Sequence, residues 1–528
     1  MAILNATYAP IYGEMEEVVL YWYNRKVLDG KSFADLFEFE GFPLGWFYER
    51  MFFLVMMPKQ LNIYDLLKNG KKITTKKKAE LQLYNSVLPK LIYLNEKKKR
   101  TIAKSQSVKV SNPIQKVLFL TYTNQLQKDG SIYRLQPIID EISKRSKVNP
   151  FPILVDPFSS RQYQLLKNKN SIYQYSDKEI LQKAKAKSKE MYQKIKNLSE
   201  EQKKKLFSIG EKNFWPYCKY VFNFNFSREM LFQLIFNYYI FDKIIKEEKI
   251  VCGVLTSSGS VTEKCLIAAA RKNNISALII QHGMGFSDQP ISNSGAHFAV
   301  FGEYHQKQLI NWGIAKENIH ITGPVIYNTI VKYKSKEKEH TLKEILITTQ
   351  PLIEVNLISK ETYFEYFKEI IGSIQSIPHL HITIKTHPRE RYYQEYDYFA
   401  QLFKNVSTNH QKGEDNLYSL ISKSNLLVNF YGSSTVLEAS ILNKPSLTID
   451  LPKLTQNFYQ DYDPSYRINY PEDIARIKEI ILGMLGNQYV LKEKREKLIK
   501  EWCFQVDGKI HQRVVDVIER LSDRKGRD

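Results

Sequence analysis

The sequence predicts an α/β protein in which two parallel-sheet units follow a mostly helical N-terminal extension. From Ile250 onwards, short apolar strands alternate regularly with helical stretches, which is the rhythm of a parallel sheet covered by helices. A polar, lysine-rich stretch at residues 331–343 interrupts this alternation, which resumes at Ile345. Two such units predict a ligand cleft between them, at the carboxyl ends of the strands.

The predicted domain organisation has four parts. Within the first α/β unit, a lysine-rich insertion at about 177–205 interleaves acids with bases, which predicts a solvated helix or helical hairpin. The parts are, in order, residues 1–110 as the helical extension, 111–335 as the first unit, 340–500 as the second unit and 501–528 as a C-terminal helix.

Each predicted strand is a short apolar run, and the helix over 262–272 follows a turn of small residues. In the first unit, strands are predicted at 116–122, 250–256, 277–281, 298–301 and 320–322. In the second unit, the prediction gives strands at 345–349, 381–385, 426–429 and 446–449, with helices at 363–374, 417–422 and 434–442.

The chain carries a large positive charge. Its 528 residues include 77 Lys and Arg against 56 Asp and Glu, which gives a net charge of +21. Such an excess predicts an anionic partner: a phosphorylated ligand, an anionic membrane surface or nucleic acid. Alternatively, a general compositional bias towards lysine accounts for part of this positive charge. No RNA-binding or finger-like signature is present, so nucleic acid is the least favoured partner.

Cysteine spacing and apolar runs predict a cytoplasmic protein that touches the membrane at most peripherally. No two of the four cysteines form a CxxC unit, which argues against a disulfide scaffold or zinc ribbon and favours a reducing compartment. The first thirty residues lack a signal-peptide pattern. The longest apolar stretches, 51–57 and 230–241, fall short of the roughly 20 residues that span a bilayer.

A dense aromatic patch covers residues 37–53. A buried helix-turn segment is the favoured interpretation. The alternative is an acceptor-binding or lipid-facing element, because Trp and Phe beside basic residues suit a membrane interface.

The strongest local motif is a strand that runs into the turn formed by Gly432, Ser433, Ser434 and Thr435 and then into a helix. Free backbone N–H groups at a helix start, together with hydroxyls, suit a diphosphate or phosphodiester. Glu438 follows one helical turn later and could accept hydrogen bonds from ribose hydroxyls. A serine N-cap without any ligand is an equally weighted alternative.

Two histidines follow predicted strands. His387 precedes a proline and lies between Lys385 and Arg389, a combination that suits a phosphate leaving group. His282 lies between Gln281 and Gly283, where a small residue lets another group approach closely. The two histidines are predicted to face one cleft, one as general base towards an acceptor hydroxyl and the other on the leaving phosphate.

Other motifs are weaker. The turn containing Ser258 is a second candidate anion site, although a hydroxyl cap explains it as well. Glu303 follows a strand and is a candidate cleft residue, with a surface position equally favoured. Asp461 and Asp463 have a DxD spacing but lie in a loop. The sequence has no HExxH, no P-loop and no GxGxxG after its first strand, so metal, P-loop and dinucleotide enzymes are disfavoured.

The order of these motifs resembles GT-B glycosyltransferases of bacterial surface and capsule polysaccharide synthesis, which have two Rossmann-like domains facing a cleft. Similar enzymes include capsule transferases that use CMP-activated acidic sugars, bacterial sialyl- and polysialyltransferases, and CDP-glycerol glycerophosphotransferases. The resemblance covers roughly residues 250–520. It is carried by Gln281-His282-Gly283, Gly302, Gly323-Pro324, Lys385-Thr386-His387-Pro388, Ser433-Ser434, Glu438-Ala439, Lys444-Pro445 and Asp507-Gly508-Lys509 with Arg513.

The resemblance implies a role for each motif. His387 would contact the donor phosphate, Ser433 and Ser434 would bind it, and Glu438 would bind the ribose. His282 resembles the histidine that deprotonates the acceptor in the glycerophosphotransferases. The carboxylate pair that serves as base motif in the sialyltransferases has no convincing equivalent, so either His282 is the base or the donor is not a CMP-sugar.

The expected activity is therefore metal-independent transfer of a sugar or polyol phosphate. The donor would be CMP-, CDP- or UDP-linked and bound by the second unit, no cofactor would be needed, and the acceptor would be a surface or lipid-linked glycan. Two alternatives stay open. An enzyme resembling UDP-N-acetylglucosamine 2-epimerase would use several acids where this chain offers His, Ser and Lys. A non-catalytic GT-B-like module would bind a nucleotide sugar or a partner.

Overall fold

The computed structural model describes most of both α/β regions and parts of the N-terminal extension. The described residues are 26–48, 87–100, 114–155, 170–283, 294–334 and 343–523, except for 27, 29, 33–35, 128, 146, 210, 211, 214, 356, 453, 455–458, 460, 461, 488 and 490. Asp461 and residues 49–53 of the aromatic patch lie outside them.

Two sheets form the centres of two compact units, so the predicted fold class is confirmed. The first unit comprises Met1–Ala299, Gln308–His320 and His511–Asp528, and the second comprises Val300–Lys307 and Ile321–Ile510. The last helix therefore belongs to the first unit although it follows the second in sequence. Arg145 of the first unit holds this helix through ion pairs with Asp516 and Glu519.

The first unit contains a seven-stranded sheet in the order β11-β10-β9-β8-β3-β4-β5. From β5 to β10 the pairing is parallel. The chain runs from β3 outwards to β5 and returns to β8 on the other side of β3, so the strand order reverses between β3 and β8. The strands are β3 Lys116–Thr121, β4 Asn149–Leu154, β5 Asn170–Ser171, β8 Ile250–Leu255, β9 Ser276–Ile280, β10 His297–Val300 and β11 Ile319–Ile321.

Several helices of the first unit begin at a residue whose side chain caps them. Ser260 and Glu263 form a capping box at the start of α7, and Ser227 accepts a hydrogen bond from the N–H of Met230 at the start of α6. The lysine-rich segment folds as α3 and α4. The helices are α1 over 87–100, α2 Gln136–Arg145, α3 Lys178–Lys196, α4 Glu200–Leu206, α5 Trp215–Asn225, α6 Arg228–Glu247, α7 Val261–Lys272, α8 Glu303–Asn311 (shared between the units) and α15 Ile510–Asp523.

The second unit contains a six-stranded parallel sheet in the order β14-β13-β12-β15-β16-β17. Its strand order reverses between β12 and β15, and isoleucines, leucines and phenylalanines from strands and helices form its core. The strands are β12 Lys343–Thr348, β13 Leu380–Lys385, β14 Val406–Asn409, β15 Leu426–Phe430, β16 Ser446–Asp450 and β17 Tyr466–Asn469. The helices are α9 Lys360–Gln375, α10 Tyr393–Leu402, α11 Glu414–Lys423, α12 Thr435–Ile441, α13 Ile477–Gly486 and α14 Lys492–Cys503.

Two short hairpins complete the described strands: β1 Glu38–Phe39 with β2 Phe42–Pro43, and β6 Ser208–Ile209 with β7 Lys212–Asn213. The described part of the aromatic patch comprises the first hairpin and the helical residues 44–48 that follow it, and its aromatic rings are buried. Phe39 packs edge-to-face on Tyr238 of α6 with ring centres 5.0 Å apart. The buried interpretation is confirmed for these residues, and the lipid-facing interpretation is wrong for them. Within the described ranges, every helix is too short or too polar to cross a bilayer.

Candidate functional site

In the second unit, polar side chains gather where β12 and β15 end side by side. Open α/β sheets bind ligands outside the carboxyl ends of the strands, at the point where the strand order reverses. Thr348 is the last residue of β12, and its Oγ1 lies 3.2 Å from Oγ1 of Thr435, the first residue of α12. We call residues 348–349, 385–390 and 431–435 the second-unit site.

A sharp turn connects β15 to α12. Tyr431 and Gly432 both have left-handed backbones, with φ of 62° and 80°, and such strain at a non-glycine residue is typical of functional turns. Buried Ser433 accepts a hydrogen bond from the N–H of Thr435 at 3.2 Å, whereas exposed Ser434 makes no capping bond. Because α12 has only seven residues, the hydroxyls and nearby cations would contribute more to phosphate binding than the helix dipole.

Lys385 ends β13, and the residue as a whole is buried. The residue is 6% exposed, and Nζ donates to the carbonyl of Thr386 at 3.1 Å. No carboxylate lies within 4 Å of Nζ among the residues that the structure describes. Burial lowers the pKa of Lys385, and the nearby charge of Glu390 opposes this effect. A buried ammonium without an ion pair is poised to bind an anion.

His387 is held as a neutral imidazole. The backbone N–H of Arg389 donates to Nδ1 at 3.1 Å, so Nδ1 carries no proton and the hydrogen of the neutral ring is on Nε2. Burial, followed by the charges of Arg389 and Lys385, lowers its pKa to about 4. At neutral pH the ring can therefore donate one hydrogen bond through Nε2, but it does not add a positive charge to the site.

Glu390 positions this turn, and the sequence analysis did not identify it. Its buried carboxylate accepts the backbone N–H of His387 at 2.7 Å and the hydroxyl of Tyr396 at 2.7 Å. The hydroxyl of Thr349 also donates to it. Burial raises the pKa of Glu390 to about 7, although these hydrogen bonds favour the charged form. The carboxylate thereby joins the end of β12, the turn after β13 and helix α10.

The other predicted residues of the second unit differ in exposure. Arg389 is exposed two residues after His387, so its guanidinium is accessible to a ligand. Glu438 is 7% exposed on α12. Its charge adds to the burial that raises the pKa values of Tyr327 and Tyr459. Glu438 therefore lies among tyrosines on the inner side of the helix.

In the first unit, the motif around His282 follows β9. Gln281 is buried, donates its backbone N–H to Ala299 at 3.0 Å and donates Nε2 to the carbonyl of Gly283 at 2.9 Å. This amide closes the turn that presents the exposed His282 at the carboxyl end of the strand. Gln281 and Gly283 thus shape the turn, and His282 is the accessible group.

Arg134 lies beside His282 and was not among the residues predicted from the sequence. Its Nη1 donates to the carbonyl oxygen of His282 at 2.8 Å. The two residues are 148 positions apart in the chain, and no local motif links them. The contact joins the segment after β3 to the turn after β9, both at the same edge of the sheet.

Ser258 and Glu303 occupy different environments. Ser258 is half-buried between β8 and α7, where the strand order reverses. There the hydroxyl oxygens of Tyr122 and Ser260 lie 2.9 Å apart. Glu303 is the first residue of α8, is exposed and lies 3.8 Å from Lys307. The surface alternative describes Glu303 well.

Carboxylates elsewhere serve the fold. Asp463, one half of the DxD spacing, accepts from Arg467 at 2.8 Å and from the hydroxyl of Ser465 at 2.6 Å. Among the described residues, no group of three or more His, Cys, Asp or Glu side chains could hold a metal ion.

Several solved structures are similar to this chain at low identity. They include S. aureus MnaA with UDP (11% identity, 78% of this chain and 97% of that chain, TM-score 0.46). They also include the Neisseria meningitidis UDP-GlcNAc 2-epimerase with UDP-GlcNAc (12%, 77% and 100%, 0.48) and Acinetobacter baumannii MurG (13%, 77% and 100%, 0.45). Similarity this low carries no argument about activity. No curated protein matches the chain.

The two parallel-sheet units place this chain in the class of α/β proteins to which GT-B enzymes belong. The model of the LIC12162 family of transferases matches residues 67–467, well over half of the chain. The protein belongs to this family. The prediction of a transferase is thereby confirmed, in agreement with the resemblance to GT-B enzymes.

Proposed function

We propose that this transferase moves a sugar, or a polyol phosphate, from a nucleotide-activated donor to a surface polysaccharide or lipid-linked glycan. The donor is CMP-, CDP- or UDP-linked. The observation that carries the proposal is the second-unit site, where Lys385, His387 and Arg389 follow one strand beside the reversal of strand order. Membership of a transferase family favours transfer over epimerisation or binding alone.

The second-unit site supplies the groups that a leaving phosphate requires. Lys385 and Arg389 contribute positive charge, His387 donates a neutral hydrogen bond through Nε2, and Ser434 offers an exposed hydroxyl. Fixed donors of this kind stabilise developing charge because they need little reorganisation. Since two cations would neutralise the leaving group, we propose that the reaction proceeds without a metal ion or other cofactor.

The first unit would activate the acceptor. In this proposal His282 takes the proton from an acceptor hydroxyl, whose oxygen bonds to the transferred group as the bond to the leaving phosphate breaks. Glu438 would bind the donor ribose. Gln281, Gly283 and Ser258 would shape the acceptor site.

We also propose that α3 contacts an anionic membrane. Four exposed lysines, Lys178, Lys185, Lys189 and Lys196, fall within a stripe about 40° wide at 100° per residue. None has an ion pair among the described residues. The acids Glu179 and Glu190 pair with other lysines of the same helix. Each lysine near an anionic surface contributes about 1 kcal/mol, so this row is suited to peripheral binding.

The donor site can be tested by nucleotide-induced stabilisation. CMP, CDP, UDP and their sugar or glycerol conjugates are titrated without metal, and the melting temperature is measured. A ligand at 100 times its Kd should add about 2.7 kcal/mol. Lys385→Met should lose the response while keeping its fold, because it replaces a buried charge by an apolar chain of similar length. Lys404→Met, at an exposed lysine of the same unit, is the matched control.

The results with wild type, Lys385→Met and Lys404→Met decide whether the donor site is as proposed. Stabilisation by one nucleotide class that disappears in Lys385→Met and persists in Lys404→Met supports the proposal. An unresponsive wild-type protein, or a Lys385→Met variant that responds normally, contradicts it.

A further inference from the structure

Arg134 is held in a backbone conformation that arginine rarely adopts. Its φ is 67°, in the left-handed region that glycine enters freely and L residues enter at a cost. Ile132 and Leu135 on either side are each 1% exposed, and the N–H of Tyr133 donates to the carbonyl of Gln125 at 2.8 Å. These contacts fix the strained conformation. The chain therefore keeps a cation where glycine would be less strained.

The guanidinium of Arg134 is only partly satisfied by the protein. Nη1 donates to the carbonyl of His282, but Nε is buried and has no hydrogen-bond acceptor in the part of the chain that the structure describes. Among the described residues, no carboxylate lies within 4 Å of this group. The ring of Tyr133, 4.7 Å from the guanidinium carbon, supports one face of the plane. Buried polar groups usually have partners, so this geometry indicates a partner that is not part of the fold.

We propose that Arg134 binds a phosphate or carboxylate group of the acceptor, next to His282. A guanidinium presents parallel N–H donors that match both anions, and its charge persists at any physiological pH. The inference rests on the proposed transfer reaction and deepens it, because it gives the acceptor a negatively charged class. The anion would hold the acceptor at the same edge of the sheet as the proposed base.

The strained backbone provides a discriminating variant. Arg134→Gly removes the guanidinium and also relieves the left-handed strain, so it should melt at the same temperature as wild type or higher. Lys249→Gly is the control: Lys249 is also a cation with positive φ (51°) and is exposed, but it precedes β8 at the opposite edge of the sheet. Arg134→Lys keeps the charge and loses the parallel donors.

Calorimetric titration uses four probes: glycerol 3-phosphate and glucuronate as anions, and glycerol and glucose as their neutral counterparts. We expect wild type and Lys249→Gly to bind one anionic probe and neither neutral one, which identifies the anion as phosphate or carboxylate. Arg134→Gly should bind that probe about 10–100-fold more weakly, the loss expected for a hydrogen bond to a charged group. Arg134→Lys should fall between.

Nucleotide stabilisation, measured on the same proteins, keeps the two proposals separate. If Arg134→Gly binds the probes as wild type does, or if wild type binds neither anion while responding to nucleotide, the inference is overturned and the proposed function stands. If Arg134→Gly melts well below wild type, the residue has a structural role and the inference is overturned. Binding of an anionic probe that depends on Arg134, without any nucleotide response, supports the anion site and contradicts the proposed donor.

Discussion

Replacing Glu390 with glutamine removes the buried carboxylate beneath His387 while keeping its shape. The pKa of Glu390 is raised from 4.5 to about 7 in the folded protein, so between these values the folded state binds more protons than the unfolded state. The free energy of unfolding must therefore fall as pH rises through this range. At 1.36 kcal/mol per unit the full change is ~3 kcal/mol, most of which falls between pH 5 and pH 8.

Glutamine should abolish this dependence without breaking the turn. Its carbonyl can accept from His387 N–H, and its amide can donate to the hydroxyl oxygen of Tyr396. We expect Glu390→Gln to gain stability relative to wild type as pH rises, by about 2–3 kcal/mol from pH 5 to pH 8. Urea unfolding at several pH values measures the difference. Glu361→Gln, at an exposed carboxylate on α9, controls for the loss of one acidic group.

If the stabilities of Glu390→Gln and wild type change in parallel with pH, this prediction is wrong. That result would mean that the folded protein ionises Glu390 as easily as the unfolded chain does. A constant loss of stability at every pH would show instead that the hydrogen bonds depend on the carboxylate and that burial does not raise its pKa.

Two further predictions concern packing and the membrane. Gly302→Ala should lower the free energy of unfolding by about 1–3 kcal/mol, because a Cβ would lie 2.4 Å from the carbonyl oxygen of Glu501. Gly372→Ala, where a Cβ would meet open space on α9, should cause no such loss. Thermal unfolding of the two variants measures the difference. Changing the four lysines of the α3 row to Gln should abolish sedimentation with phosphatidylserine vesicles. The same change at four lysines that already pair with acids should leave sedimentation intact; these are Lys183, Lys187, Lys194 and Lys203. Equal losses in both variants would refute a specific role of the α3 row in membrane binding.

Apolar runs predicted much of the sheet architecture, but they missed β4. The runs at β8, β12 and β15 are almost entirely buried, so a short apolar stretch and a following turn identify them. Strand β4 contains Pro150 and Pro152, which remove backbone donors and normally argue against a strand inside a sheet. It nevertheless pairs with β3 on one side and briefly with β5 on the other. Tertiary pairing overrides the local signal there.

The candidate site was predictable where a motif is local and not where the fold creates it. His387 and His282 were chosen because each follows a strand and precedes Pro or Gly. Glu390 resembles an ordinary surface acid until the fold brings Thr349, 41 residues away, against it. Arg134 depends on a contact over 148 residues. Neither of these distant contacts can be recognised from a single sequence.

The proposed anion would complete the charges of the second-unit site. Burial lowers the pKa of Lys385 and raises that of Glu390, which means that each charge is costly in the protein alone. Their attraction does not produce an ion pair within 4 Å, because Glu390 is engaged by His387 N–H and Tyr396. The carboxylate of Glu390 therefore accepts its hydrogen bonds from the turn and from Tyr396, and the ammonium of Lys385 remains available to an anion. An anion bound at Lys385 would compensate the buried charge, and this compensation would contribute to the binding energy.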